Sequence, residues 1–146
     1  MKNGIRIFAV MIIVTLSVGA VQAQDLTPAQ KSAVGTWLSS EGGKYELYVH
    51  DGKLFGKMVQ PPTKLNNLNG VCKKCDGNLK NAPLVGFPLI TNLVPDGEGW
   101  SGGKIVDPST GMVLSVKIKV TGNSLDLRAF IGNPLLGGSQ TWTRLS

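Results

Sequence analysis

Much of this chain changes character at every second residue, and that period limits what it can become. In Met112–Val120, the residues Leu114, Val116, Ile118 and Val120 alternate with Ser115, Lys117 and Lys119. In Ser124–Ile131, the residues Leu125, Leu127, Ala129 and Ile131 alternate with Asp126 and Arg128. Successive side chains of a strand point to opposite faces, so each segment has one apolar face and one wet face. Thr121-Gly122-Asn123 turns the chain between them. Shorter segments of the same kind lie at Gly35–Ser39, Lys44–Val49, Lys53–Gln60, Gly86–Leu93, Gly99–Val106 and Gly137–Leu145. Turn formers separate them: His50-Asp51-Gly52, Pro95-Asp96-Gly97, Asp107–Gly111 and Gly132-Asn133-Pro134. Gly102-Gly103 marks a bend or bulge. The result is about eight strands at a spacing near 8–12 residues. One short helical turn precedes them at Thr27–Ser32, where Thr27 caps and Pro28 takes the first helical position.

Hairpins that follow one another through short turns predict an all-β fold, a small up-and-down antiparallel β-barrel. Closure removes the unpaired edges that an exposed sheet would otherwise have to protect. An immunoglobulin-like sandwich would place its cysteines far apart to bridge two sheets. Here Cys72 and Cys75 are neighbours. Tryptophans stand at both ends of the strand-rich region, in Gly35-Thr36-Trp37 and in Gln140-Thr141-Trp142-Thr143-Arg144. A barrel that pairs its first strand with its last would bring these segments together. Arg144 would then lie over Trp37, a contact that contributes about 0.5–2 kcal/mol.

The N-terminus reads as a secretory signal over 1–23. Lys2 and Arg6 precede an apolar run from Ile7 to Val18 that falls short of the roughly 20 residues of a membrane span. Val21-Gln22-Ala23 supplies the cleavage site, and no cysteine stands there for a lipid anchor. The barrel domain is then 24–146, periplasmic or secreted, with no membrane span left after cleavage. The formal net charge of +6 falls by the charges of Lys2 and Arg6 to +4. The remaining lysines are scattered, whereas a nucleic-acid interface would show a basic stripe with stacking aromatics. Nucleic acid is therefore not an expected partner.

One segment breaks the rhythm. Pro61–Pro83 holds five asparagines and both cysteines. A connection of this length inside a small domain is usually functional or mobile. Cys72-Lys73-Lys74-Cys75 within it has three readings. In an oxidising compartment a disulfide is the first, and it would stiffen a short loop. A redox-active pair is the second, since Lys73 and Lys74 favour the thiolate. Half of a zinc site is the third, but two thiolates need partners and His50 is the only histidine. A c-type haem site is excluded, because Asp76 follows Cys75 where histidine is required. No paired carboxylates, serine-nucleophile frame or phosphate loop appears. The sequence thus names no catalytic residue, metal site or cofactor.

Gly35-Thr36-Trp37 with the terminal Arg144 resembles the G-x-W signature of lipocalins and related calycins. A more specific resemblance spans about Val34 to Arg144. It rests on the Gly35 triplet, Pro83-Leu84-Val85-Gly86, Gly99–Ile105, Asp107-Pro108 with Gly111, and Gly132–Gly137 followed by Gln140–Arg144. These motifs are similar to those of DUF2147, a family of bacterial secreted proteins. Met112-Val113-Leu114 stands where that family often has a tyrosine. The resemblance implies a calycin-like barrel in the cell envelope and no particular activity. It also implies roles in barrel closure for Gly35, Trp37, Trp142 and Arg144.

The expected function is to bind a small hydrophobic or amphipathic ligand inside the barrel. Val116, Ile118, Leu125 and Leu127 are the expected lining, with an opening away from the Trp37 end. Two other readings stay open. One is an envelope structural or protein-interaction module acting through 61–83. The other is a thiol-redox or metal-handling protein using Cys72 and Cys75.

Overall fold

A computed structural model describes residues 12–14 and 25–146. The leader expected at 1–23 lies outside them, apart from 12–14. The elements run α1 (Pro28–Lys31), β1 (Gly35–Ser39), β2 (Lys44–His50), β3 (Lys53–Gln60), β4 (Pro88–Asp96), β5 (Gly99–Asp107), β6 (Met112–Thr121), β7 (Ser124–Phe130) and β8 (Gly137–Arg144). The eight strands form a closed antiparallel barrel in simple sequential order. The expected fold class is therefore the observed one. Most boundaries move by a residue or two, but β4 runs from Pro88 to Asp96 and takes Pro95 and Asp96 of the expected turn into its ladder with β5. No helix among the described residues is long and apolar enough to cross a membrane.

Period-2 alternation sets the wall. Leu125, Leu127 and Ala129 of β7 pair across the ladder with Trp142, Gln140 and Gly138 of β8, all on the inner face. On the outer face Glu46 sits opposite Lys57, with their charged groups 3.5 Å apart. Irregularities in three ladders bend the wall. The β2–β3 register shifts between Lys44 and Tyr45, the β3–β4 register shifts on both sides of Gly56, and the β5–β6 register shifts between Trp100 and Gly103. Extra residues there let Ile90 and Leu93, and likewise Trp100 and Gly103, keep their buried positions.

Closure rests on the shortest seam. Trp37, Leu38 and Ser39 of β1 pair with Arg144, Thr143 and Trp142 of β8. The Thr36 amide adds a 2.8 Å bond to the Ser146 carbonyl. This approach is why residue 35 is glycine. Its φ is +142°, and a Cβ there would lie 2.4 Å from the Ser146 carbonyl oxygen.

One end of the barrel is sealed by α1 and the segment after it. Thr27 and Gln30 form a reciprocal capping box. Gln30 also donates through Nε2 to the Gly97 carbonyl at 2.9 Å, and its own carbonyl accepts from Trp100 Nε1 at 3.1 Å. Trp37 Nε1 donates to the Ala33 carbonyl at 2.9 Å. The indole N–H groups of Trp37 and Trp100 are thus both satisfied by the plug that covers them.

The opposite end carries the β1–β2, β5–β6 and β7–β8 loops and the long connection 61–87. That connection is folded. It contains two 3-10 turns, Thr63–Leu68 and Gly77–Leu79, and a bridge between Val71 and Pro83. Leu65, Leu68, Leu84 and Phe87 bury their side chains in the common core. Two of its asparagines serve backbone geometry: Asn69 and Asn81 take positive φ, which asparagine tolerates better than most residues.

Candidate functional site

The residues expected at closure come together. The Arg144 guanidinium lies 4.3 Å from the centre of the Trp37 ring. It also donates to the Ser32 and Val34 carbonyls in the segment after α1. Trp142, two residues before Arg144 along β8, stacks on Tyr45 with centroids 4.2 Å apart and planes 12° from parallel.

Above that stacked pair the barrel is hollow. A cavity of about 340 Å³ extends toward the loops of the open end. Its walls are mainly apolar, with Met58, Leu65, Leu89, Ile105, Leu114 and Leu127 among them. The room comes from small residues. Ala129 and Gly138 face one another across the β7–β8 ladder, and both line the cavity. A Cβ built on Gly138 meets no atom within 4 Å. Tyr45 and Trp142 form part of the lining, and Trp142 Nε1 donates to Gln140 Oε1 at 3.0 Å. Lys64, Asp107, Ser139 and Gln140 supply its polar groups.

Of the four aliphatic residues expected to line a ligand site, only Leu127 does so. Val116, Ile118 and Leu125 are buried but do not line the cavity. The placement has a plain cause. Alternation tells inside from outside, but it does not tell height along the barrel axis. Ile118 pairs with Trp100 and Leu125 with Trp142, at levels where large side chains fill the interior. Tyr45, Leu65, Leu89 and Gly138 were missed. Gly138 carried a readable signal: a glycine on the inward phase, paired with an alanine, leaves space.

The polar groups take part in contacts of the fold itself. Lys64 Nζ pairs with Glu41 at 2.6 Å, joining the long connection to the β1–β2 loop. Asp107 Oδ1 accepts from the Ser109 amide at 2.9 Å and the Ser109 hydroxyl at 2.6 Å, which holds the carboxylate in its own turn. Burial pushes the Tyr45 hydroxyl above its ordinary pKa of 10.0, and Glu41 pushes the same way against a hydrogen bond with Ser39. The unfolded chain therefore loses this proton first. Stability is complete below the ordinary tyrosine range and falls as pH rises through it toward the folded value. Denaturant midpoints should start to fall as pH rises through the ordinary tyrosine value of 10.0 and go on falling toward the raised folded one. Tyr45→Phe should flatten that drop, and an unchanged alkaline slope in the variant would contradict it.

Cys72 and Cys75 are joined in a disulfide. Both are buried, at 0% and 2% exposure. Exchange with an outside thiol needs access to sulfur, so burial argues against the redox reading. His50 is the last residue of β2, at the sealed end, with Nε2 3.2 Å from Asp51. The cysteines are at the other end, so it cannot complete a zinc site with them. Cys72 Sγ lies 3.6 Å from the Pro108 carbonyl oxygen. The Lys74 carbonyl presses on Gly111, where a Cβ would come within 2.0 Å of it at φ +76°. The disulfide thus holds the long connection against the β5–β6 turn at the cavity's edge. Replacing both cysteines by alanine should cost about 2 kcal/mol. Hydrogen exchange should quicken in 61–87 and at 108–111 but not in β7. Unchanged exchange at 108–111 would show that the bond does not brace the turn.

A second depression, of about 470 Å³, lies on the outer wall among Asp96, Glu98, Lys117, Lys119, Asp126 and Arg128. Its mixed charges are the wet faces of β6 and β7 and their neighbours.

No curated protein matches the chain in sequence. In structure it is similar to protein HP1028 from the human pathogen Helicobacter pylori, which is described as belonging to the lipocalin family. The TM-score is 0.66 at 18% identity, over 84% of this chain and 85% of that one. At that identity the likeness shows a shared lipocalin-like fold. The family model for DUF2147, described as an uncharacterized protein conserved in bacteria, matches residues 35–144, the whole barrel from Gly35 to Arg144, and the chain belongs to that family.

Proposed function

We propose that this protein is an exported binding barrel that holds one small hydrophobic or amphipathic molecule in the cavity above Tyr45 and Trp142. The observation that carries the reading is unfilled apolar space inside a closed barrel. Well-packed interiors have few voids larger than a water molecule. This one is about 340 Å³ and lies toward the lower end of the range for ligand sites. Its walls would hold an apolar body, while Lys64, Asp107 and Gln140 offer partners to a polar end. The disulfide and the leader expected at 1–23 support a periplasmic or secreted site of action. The folded connection 61–87 contributes Pro62, Lys64 and Leu65 to the cavity, which favours a role as its cover over a separate interaction module.

Native mass spectrometry of protein purified without denaturant from its own periplasm tests the proposal. The expected result is a small-molecule adduct that organic extraction removes and that returns on adding the extract. Protein that carries no adduct and takes up no hydrophobic probe after extraction would overturn it.

A further inference from the structure

The cavity's edge continues outward as exposed apolar side chains. Ile131 and Leu136 both line the cavity and stand 58% and 68% exposed. Leu135 between them is 83% exposed. Neighbouring β6 begins with Met112 and Val113, at 46% and 61%. This is the apolar tip of the open end, and it is held in place. Arg128 Nε donates to the Pro134 carbonyl at 2.6 Å. Asn133 Oδ1 accepts from the Leu135 amide at 2.9 Å, and the Asn133 carbonyl accepts from the Leu136 amide at 2.8 Å. A hydrogen-bonded loop that presents leucines to water needs a cover.

The charges around the tip select the cover. Residues 108–111 and 131–136 contain no acid. Lys73 and Lys74 are exposed, and the Lys74 backbone touches the β5–β6 turn just before Met112. The carboxylates at this end are Glu41, paired with Lys64; Asp107, held by Ser109; and exposed Asp76. A second copy docked about a twofold axis would bring like lysines toward one another. We propose that the open end docks on an anionic lipid surface, with Leu135 and its neighbours entering the headgroup–acyl boundary and Lys73 and Lys74 lying over the headgroups. The cavity would then open onto the membrane interface. This surface goes beyond the ligand-binding reading and does not depend on it.

Co-sedimentation of the exported protein with two kinds of vesicle tests the proposal, one of phosphatidylethanolamine with phosphatidylglycerol and one of phosphatidylcholine alone. Binding is expected to the anionic vesicles and to weaken with added salt. Leu135→Asp should lower the partition coefficient about tenfold. Lys73→Glu with Lys74→Glu should lower it about tenfold or more on anionic vesicles only. None of these three residues lines the cavity, so probe uptake in solution should be unchanged in both variants. Absence of binding to anionic vesicles, or equal binding by Leu135→Asp protein, would overturn the docking proposal even if probe uptake is intact. So would a concentration-dependent dimer, seen by light scattering, that Leu135→Asp abolishes. Vesicle binding without probe uptake would support docking while removing the ligand-binding reading.

Discussion

Trp37→Ala is expected to lower stability by about 3–5 kcal/mol, the range for deleting a large buried aromatic. Trp37 has 0% exposure, and its indole N–H is bonded inside the plug, so little of the void could be taken up by solvent. Its face also carries the Arg144 guanidinium, at 4.3 Å, which in turn holds the Ser32 and Val34 carbonyls. Arg144→Ala should therefore cost less, about 1–3 kcal/mol, through lost stacking and a loosened plug. Arg144→Lys should recover only part, because an ammonium lacks the planar face and the fork. The two alanine changes should be non-additive, since each removes the same contact. Denaturant unfolding of the parent, the three single variants and the double alanine variant measures this. Full additivity, or Arg144→Ala protein as stable as the parent, would remove the closing role of the pair.

Gly138→Phe should abolish uptake of a hydrophobic probe, with affinity down at least about a hundredfold, and leave stability at or above that of the parent. The position is open, its φ needs no glycine, and a side chain there would enter the cavity. A strand glycine replaced by an aromatic also gains in β-propensity. A loss of binding together with a loss of fold would mean the site was packed rather than hollow. Unchanged binding would place the ligand elsewhere.

The fold was legible because its signals are local. Hairpin turns such as Asp51-Gly52 and the alternation of β6 and β7 each declare themselves within ten residues. The seam was legible because Gly35, Trp37 and Arg144, far apart as they are, resemble the closing residues of lipocalins and related calycins. The cavity was not. Its height depends on where large and small residues meet across strands, as Ala129 meets Gly138 and Trp142 meets Leu125. That is a property of register, which alternation leaves open. Leu65 reaches the cavity from a segment with no period at all, so only the folded connection reveals it.

The central claim is that a small apolar molecule sits against Trp142. Quenching of tryptophan fluorescence by a brominated single-chain amphiphile, below its micelle concentration, tests it most directly, because heavy-atom quenching acts only at contact range. Of the three tryptophans only Trp142 lines the cavity. The expected result is saturable quenching of part of the emission, absent from Trp142→Phe protein that still folds. No saturable quenching, or the same quenching in Trp142→Phe protein, would contradict the account.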